Sequence, residues 1–266
     1  MEKKLNTKIF IHADDYGRSE MISKNIVRCI DSGSINSVSI MIGSNKEVYK
    51  EIKKYNIKKK LHINLTDFDL NLHINNDFIR DLTFMKLLFL RNENRRIVLN
   101  EVDRQIQEYK KIFNEEELMI DGHQHVHVIP WIYKHLIEKY KNEATEIRLP
   151  DEAFFFGGVK GVFNPKFYRN IVAFLLLKLL IRVFIKKTIY SPPFSGMLYS
   201  GFYTKEIFKK NFKYLSQKYE TFEIAFHPGY TSVVEKELFK KEFYKYYSSK
   251  KRKIEYKVAM EKDIII

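Results

Sequence analysis

Three of the protein's eight histidines stand at alternate positions in one short polar stretch. His123, His125 and His127 follow the apolar residues 118–120, and Asp121 lies directly before them. Because successive side chains of an extended backbone point to opposite faces, residues two apart share a face. The spacing predicts three imidazoles on one side of a strand end, which suits metal ligation. The alternative is a polar strand end whose imidazoles hydrogen-bond to water and carbonyl groups.

An aspartate together with two or more neutral histidines forms a divalent-metal site that suits zinc and also accepts manganese, magnesium or iron. Such a metal polarises a carbonyl group and lowers the pKa of a water molecule towards 7. A neighbouring carboxylate can then take the water's proton. Asp14 and Asp15 fit this division of roles, and the sequence leaves open which is which. Asp121 could orient an imidazole through a hydrogen bond.

Strands and helices alternate along the chain, which predicts right-handed βαβ units and a mainly parallel sheet. The chemically active residues fall at or just past the C-terminal ends of different predicted strands. In a (β/α) barrel these ends gather into one site, whereas a doubly wound sheet gathers only those near its switch point. The sequence therefore favours a barrel in one α/β domain, residues 1–266. The residues in question are Asp14, Asp15, His62, His123, Arg148, Glu152 and His227.

The composition, with 45% hydrophobic and 30% charged residues among 266, is typical of a folded protein. The single cysteine, Cys29, excludes an internal disulfide and a cysteine-based zinc cluster. Residues 1–8 lead into a strand instead of a long apolar run, so we expect no secretory signal and a cytoplasmic protein. The polar segment 66–78 is too long for a simple linker and is predicted to be a functional loop, with His73 on its surface.

The net charge of +14 is concentrated in one block of the chain. Residues 160–215 hold eleven Lys or Arg and one acid, so the sequence does not predict a nucleic-acid surface. Within this block, segment 165–187 is predicted as a helix. Its apolar run, residues 171–185, is too short and too charged to span a bilayer, which needs about 20 apolar residues. Lys178, Arg182 and Lys186 would form a basic stripe beside a wide apolar face. Peripheral membrane contact and a core-packed helix with one solvated edge both remain open.

Five segments in order resemble the motifs of the YdjC-like (ChbG/HpnK) carbohydrate deacetylases, and together they extend over residues 8–230. Each segment alone is weakly specific, whereas five in order are highly specific. The resemblance implies a single-domain, distorted TIM-like barrel of the polysaccharide-deacetylase kind. The segments are residues 12–17 (HADDYG), 61–66 (LHINLT), 121–130 with its three histidines and a proline, 148–152 (RLPDE) and 227–230 (HPGY).

The resemblance also implies a reaction: metal-dependent removal of acetyl from an N-acetylated sugar, such as a chitooligosaccharide. One divalent ion, Mg or Zn, would be held by Asp15, His62 and His123, with Asp14 as the base and His227 as the acid for the leaving amine. The family usually has Asn where His12 stands, a position outside the implied ligand set. We predict that five further residues bind substrate or support the ligands, and that Arg148 and Glu152 form an ion pair. The five residues are Asp121, His125, His127, Arg148 and Glu152.

Two alternatives to this function remain open: a different substrate, or binding without catalysis. A deacetylase of a lipid-linked aminosugar at the membrane surface would explain the basic apolar helix. A carbohydrate-binding barrel without activity would not need a free base, so an intact Asp14 argues against it. A homodimer is a further open alternative.

Overall fold

A computed structural model describes residues 8–43, 45–67, 81–114, 117–155, 157–158 and 165–261 of the protein. The segment predicted to be a functional loop lies outside the described residues from residue 68 onwards, and so does His73.

A seven-stranded, all-parallel sheet forms the centre of the described part, in the order β5-β4-β3-β2-β1-β7-β6. Its central strands are buried on both faces over most of their length, as expected for a parallel sheet covered by helices. The prediction of a parallel α/β sheet is confirmed. The strands are β1 (Lys8–Tyr16), β2 (Ser37–Ile40), β3 (Lys58–Ile63), β4 (Leu118–Gly122), β5 (Ala144–Ile147), β6 (Phe194–Ser195) and β7 (Thr221–Phe226).

The two edges of the sheet are joined by one short segment. Tyr190 forms a parallel bridge with Glu146 of β5, while the carbonyl of Pro193 accepts a hydrogen bond of 2.8 Å from Glu223 of β7. The sheet is therefore curled like part of a barrel. Residues 188–190 contribute only this single bridge. The described residues form seven strands, whereas the TIM barrel that the resemblance implies has eight.

The helices begin where the sequence supplies local signals. The side chain of Ser19 caps the first helix by accepting a hydrogen bond from the backbone N–H of Ile22, and Pro130 occupies the first turn of the helix that follows the histidines. No helix of the described residues is long and apolar enough to cross a membrane. The helices are α1 (Glu20–Asp31), α2 (Glu47–Ile52), α3 (Phe84–Leu88), α4 (Asn92–Phe113), α5 (Pro130–Tyr140), α6 (Pro165–Phe184), α7 (Lys205–Ser216), α8 (Lys241–Tyr247) and α9 (Lys250–Ala259).

Candidate metal centre and active site

A bulge at the C-terminal end of β1 separates the two adjacent aspartates. The pairing of β1 with β2 shifts register between Ala13 and Tyr16, and Asp15 has a positive φ of 73°. A positive φ strains a residue other than glycine, and bulges re-aim side chains next to active sites. As a result Asp14 contacts Arg148, while Asp15 faces two histidines. The following Gly17 has a φ of +88°, and a Cβ there would lie 2.5 Å from the carbonyl oxygen of Met41.

Asp15, His62 and His123 come together from three different strand ends. Oδ1 of Asp15 lies 3.4 Å from Nε2 of His62 and 3.0 Å from Nδ1 of His123. All three residues are buried, and one potential ligand atom of each lies within 4.8 Å of the others. One carboxylate and two imidazoles form a donor set that zinc and other divalent ions accept.

The hydrogen bonding of these residues fits a bound cation. Oδ2 of Asp15 and Nε2 of His123 are buried and have no hydrogen-bond partner among the described residues. Buried polar atoms are normally paired, so such atoms point to a missing ion or water. The Nδ1 atom of His62 lies 2.6 Å from Oδ1 of Asp121, which leaves Nε2 directed towards Asp15. A carboxylate on the far nitrogen is the usual way to orient a ligating imidazole.

The electrostatics of His62 also depend on these carboxylates. Burial lowers the pKa of His62, but Asp121 and Asp15 outweigh this and raise it to about 10. Without a cation His62 carries a proton between the two carboxylates, and a bound cation would replace that proton. The carboxylate of Asp121 is held in turn by Ser39, whose hydroxyl donates to Oδ2.

The predicted alignment of the three histidines on one strand face is wrong. Strand β4 ends at Gly122, and His123–Val128 forms a 3₁₀ turn in which Gln124 and His125 have positive φ values of 51° and 59°. His123 alone of the three is part of the Asp15 cluster. Regular strand geometry cannot continue through two left-handed residues, so the alternation of side chains is lost.

His125 and His127 lie beside this cluster, where they have different surroundings. Nε2 of His127 donates to the carbonyl of Arg148 at 2.6 Å, and its Nδ1 lies so close to Gly122 that a Cβ there would be 2.8 Å away. The ring of His125 lies 5.8 Å from that of Phe194. It borders a cavity that His62 and His123 also line. Burial lowers the pKa of His125 to about 3, with further lowering by His127, so this imidazole is neutral.

Arg148 connects the site to the interior of the sheet. Its guanidinium donates to Oδ1 of Asp14 at 3.0 Å and lies 2.8 Å from Oδ2 of Asp121 and 2.6 Å from Oε1 of Glu223. The expected ion pair with Glu152 does not form. Instead, Glu152 is buried and accepts hydrogen bonds from the hydroxyl of Ser195 and from the backbone N–H groups of residues 196–198. Arg148 faces inwards because three buried carboxylates there require a cation.

Asp14 is held in its ionised form. Burial disfavours the charge, but the Arg148 guanidinium and a hydrogen bond from His12 hold the pKa of Asp14 well below its usual range. His12, which stands where the family usually has Asn, lies 3.2 Å from Asp14 and also hydrogen-bonds to Ser37 and Ser39. His12, itself fixed by the two serines, therefore helps to keep Asp14 ionised. The sequence did not indicate this role.

His227 completes the site on the opposite side of Asp14. Its Nε2 lies 3.7 Å from Oδ2 of Asp14, and its backbone N–H donates to Glu255 at 3.0 Å. Burial, then the nearby Arg252, lower the pKa of His227, so its resting form is neutral. Asp14, His62, His123 and His227 all border one cavity of about 720 Å³, a size suited to a small ligand.

Two further charged residues act beneath the site and were missed by the sequence reasoning. Lys60 of β3 forms ion pairs with Glu223 and, at 2.6 Å, with Glu146. Lys60 and Glu223 are completely buried. Glu223 is a single charge in the otherwise apolar strand β7, and such charges are rarely buried without a partner. An isolated charge in an apolar strand was therefore the sequence signal that could have identified Glu223.

Comparison with known proteins identifies the family of the chain. A family model described as YdjC-like protein matches residues 8–264. The chain belongs to this family. The carbohydrate deacetylase of Danio rerio is 28% identical over 134 residues, which are 46% of this chain and 43% of that protein. The carbohydrate deacetylase of Mus musculus is 25% identical over 158 residues, 54% of this chain and 51% of that protein. The chain thus spans about half the length of the curated relatives it matches.

A solved structure from Enterococcus faecalis shows the same fold. It is described as a candidate cellobiose-phosphate cleavage protein and superposes with a TM-score of 0.63, covering 97% of this chain and 92% of that one. Its sequence identity of 16% supports the fold alone. The likeness agrees with one α/β unit built on a curled parallel sheet.

Proposed function

We propose that the protein is a metal-dependent hydrolase that removes the acetyl group from an N-acetylated sugar. The observation that carries the proposal is the bulge in β1, which directs Asp15 to two histidines and the adjacent Asp14 to Arg148 and His227. Family membership and the carbohydrate deacetylases among the relatives support the reaction class. In this proposal Asp15 is a metal ligand and Asp14 is the base, as the resemblance implied.

Asp15, His62 and His123 would hold the divalent ion, zinc or magnesium. When bound there, the ion polarises the acetyl carbonyl and makes water more acidic. Asp14, ionised and bordering the cavity, accepts the proton that water loses as it attacks the acetyl carbon. Arg148 fixes the orientation of Asp14 through a hydrogen bond of 3.0 Å.

His227 supplies the proton that the leaving amine needs. Its Nε2 is 3.7 Å from Asp14, so the proton accepted by Asp14 has a short path to His227. The C–N bond then breaks, the amine takes the proton, and acetate retains the oxygen of water. Two neighbouring groups with different resting charges can exchange acid and base roles in this way.

The substrate proposal comes from the character of the cavity. Phe194, Phe243 and Tyr246 line it together with the imidazole of His125. Aromatic rings among polar side chains suit a sugar ring that carries an acetamide. We propose an oligosaccharide such as a chitooligosaccharide as the substrate. The second candidate is a lipid-linked aminosugar. Helix α6 favours it, because apolar residues such as Leu175 and Leu179 are exposed on its surface and its residues Arg169 and Asn170 border the same cavity.

The test is acetate release from N-acetylglucosamine oligomers with added zinc or magnesium. Asp14→Asn should lower kcat by about 100-fold or more, because the base is lost, while metal content measured by mass spectrometry stays normal. His62→Ala should lose the metal itself. Asp103→Asn, a carboxylate bonded to His135 away from the site, is the matched control and should behave like the wild type.

Full activity of Asp14→Asn would remove Asp14 from the role of base. Normal metal content in His62→Ala would contradict the ligand assignment. Metal and sugar binding by the wild type without any acetate release would favour the non-catalytic barrel.

A further inference from the structure

Helix α6 is apolar on two opposite sides. Its inward side packs Phe167, Phe174 and Leu177 into the protein. A helix at the surface of a soluble domain normally turns polar side chains outwards. Here five apolar side chains point outwards, each between 57% and 67% exposed. They are Tyr168, Val172, Leu175, Leu179 and Val183.

These five side chains form one continuous stripe. Their spacing of three and four residues places them on the same side of the helix over its whole length. Phe184 at the C-terminal end of the helix is also 61% exposed. Contiguous exposed apolar surface of this kind marks an interaction site.

The charged residues of segment 165–187 are all positive. Segment 165–187 contains no Asp or Glu, and Arg169, Arg182, Lys186 and Lys187 are exposed. Lys178 is turned inwards: its Nζ donates to the carbonyl of Glu152 at 3.0 Å and lies 3.3 Å from Asp151. The predicted stripe through Lys178, Arg182 and Lys186 therefore needs correction, because Lys178 is engaged by the protein and the basic groups lie near the two ends of the helix.

We propose that the outer side of α6 docks on an anionic lipid membrane. The apolar stripe would enter the boundary between headgroups and acyl chains, and the basic residues would contact lipid phosphates. Charge complementarity selects this occupant. In a second copy docked through the same side, the basic residues would face each other, and the segment offers no acid to offset the repulsion.

The docked helix also borders the cavity. Arg169 and Asn170 of α6 line it, so the cavity would lie next to the membrane surface. The docking proposal concerns a surface of the protein and does not depend on the hydrolase activity.

The experiment is flotation of the whole chain with vesicles of equal parts phosphatidylcholine and phosphatidylserine. We expect the wild type to float, and added salt to weaken the interaction because it screens the basic residues. Arg182→Glu/Lys186→Glu should lower the partition coefficient by at least about tenfold, since each basic residue near an anionic surface adds to binding. Leu175→Gln/Leu179→Gln should lower it as well, through the loss of buried apolar area.

Matched controls lie elsewhere on the surface. Val233 and Val234 are 73% and 85% exposed, and Val233→Gln/Val234→Gln should float like the wild type. Lys250→Glu/Lys257→Glu on α9 changes the net charge by the same amount as the α6 pair and should lower the partition coefficient much less.

Three results would overturn the proposal. One is a wild type that does not float, and another is equal loss of flotation in the α9 and α6 charge variants. The third is a wild-type dimer in light scattering that Leu175→Gln/Leu179→Gln converts to a monomer, because the stripe would then be a subunit interface. Acetate release from a soluble oligomer, measured on the same variants, separates failure of docking from failure of the hydrolase proposal.

Discussion

The interior beneath the site and the outer side of α6 reverse the usual distribution of polarity. Asp121, Arg148, Lys60 and Glu223 are completely buried, while Leu179 on α6 is 58% exposed. Buried charges cost free energy unless they are paired, and an exposed apolar stripe risks association. Both arrangements therefore depart from what packing alone would favour.

The two regions differ in how their cost is offset. Each buried charge has an opposite charge close by, as in the contacts of Arg148 with Asp14, Asp121 and Glu223. The stripe on α6 has no cover among the described residues, and only binding to another surface would provide one. The interior should therefore respond strongly to substitution in the isolated protein, and the stripe should respond only when its partner is present.

The largest expected effect is that of Arg148→Met. It leaves three buried carboxylates without their shared cation, so the free energy of unfolding should fall by about 3–5 kcal/mol, and acetate release should disappear. Urea denaturation measures the first effect. The matched control is Arg104→Met, because Arg104 pairs with Glu101 while its own side chain is 42% exposed. Arg104→Met should lower the free energy of unfolding by about 1 kcal/mol or less. Equal losses in the two variants would show that burial does not distinguish these ion pairs.

A second, smaller effect concerns stability in acid. Burial opposes ionisation of Glu223, but Arg148 and Lys60 lower its pKa from 4.5 to about 2. A carboxylate with a lowered folded-state pKa stabilises the protein fully above its unfolded pKa. That contribution, on the order of 3 kcal/mol, is lost as the pH falls from about 4.5 towards 2.

The measurement is the unfolding free energy at pH 7 and at pH 3 for the wild type and Glu223→Gln. The wild type should lose more stability than the variant between the two values, because the variant has no carboxylate to titrate at this position. Glu93→Gln, whose parent side chain is 68% exposed, serves as the control and should follow the wild type. Identical pH dependence in all three proteins would refute the assignment to Glu223.

The smallest effect belongs to the outer side of α6. Leu175→Gln/Leu179→Gln should change the free energy of unfolding by no more than about 0.5 kcal/mol per substitution, because both side chains already face solvent. Thermal unfolding without vesicles gives this value. A loss of several kcal/mol would mean that the stripe packs against the protein, and the contrast with the interior would disappear.

Much of the fold could be predicted from the local pattern of residues. The alternation of strands and helices predicted a parallel sheet, and the described residues form one. Ser19 and Pro130 supply the local signals at which α1 and α5 begin. The rest depended on contacts between distant residues. The turn at His123 interrupts a pattern that reads as an extended strand. Arg148 pairs with Asp14, Asp121 and Glu223, all distant in sequence, and not with the nearby Glu152. Local spacing cannot distinguish such partners.

The sequence alone determined which residues are able to ligate a metal and the order in which they follow strands. Alternation of strands and helices places Asp15, His62 and His123 at one edge of a parallel sheet, wherever the sheet closes. Only the tertiary structure decided that the side chains of Asp14 and Asp15 point to different partners, because that depends on a bulge and a positive φ. It also decided which side of α6 is left open, because an apolar helix shows its outward face only once its inward face has been packed.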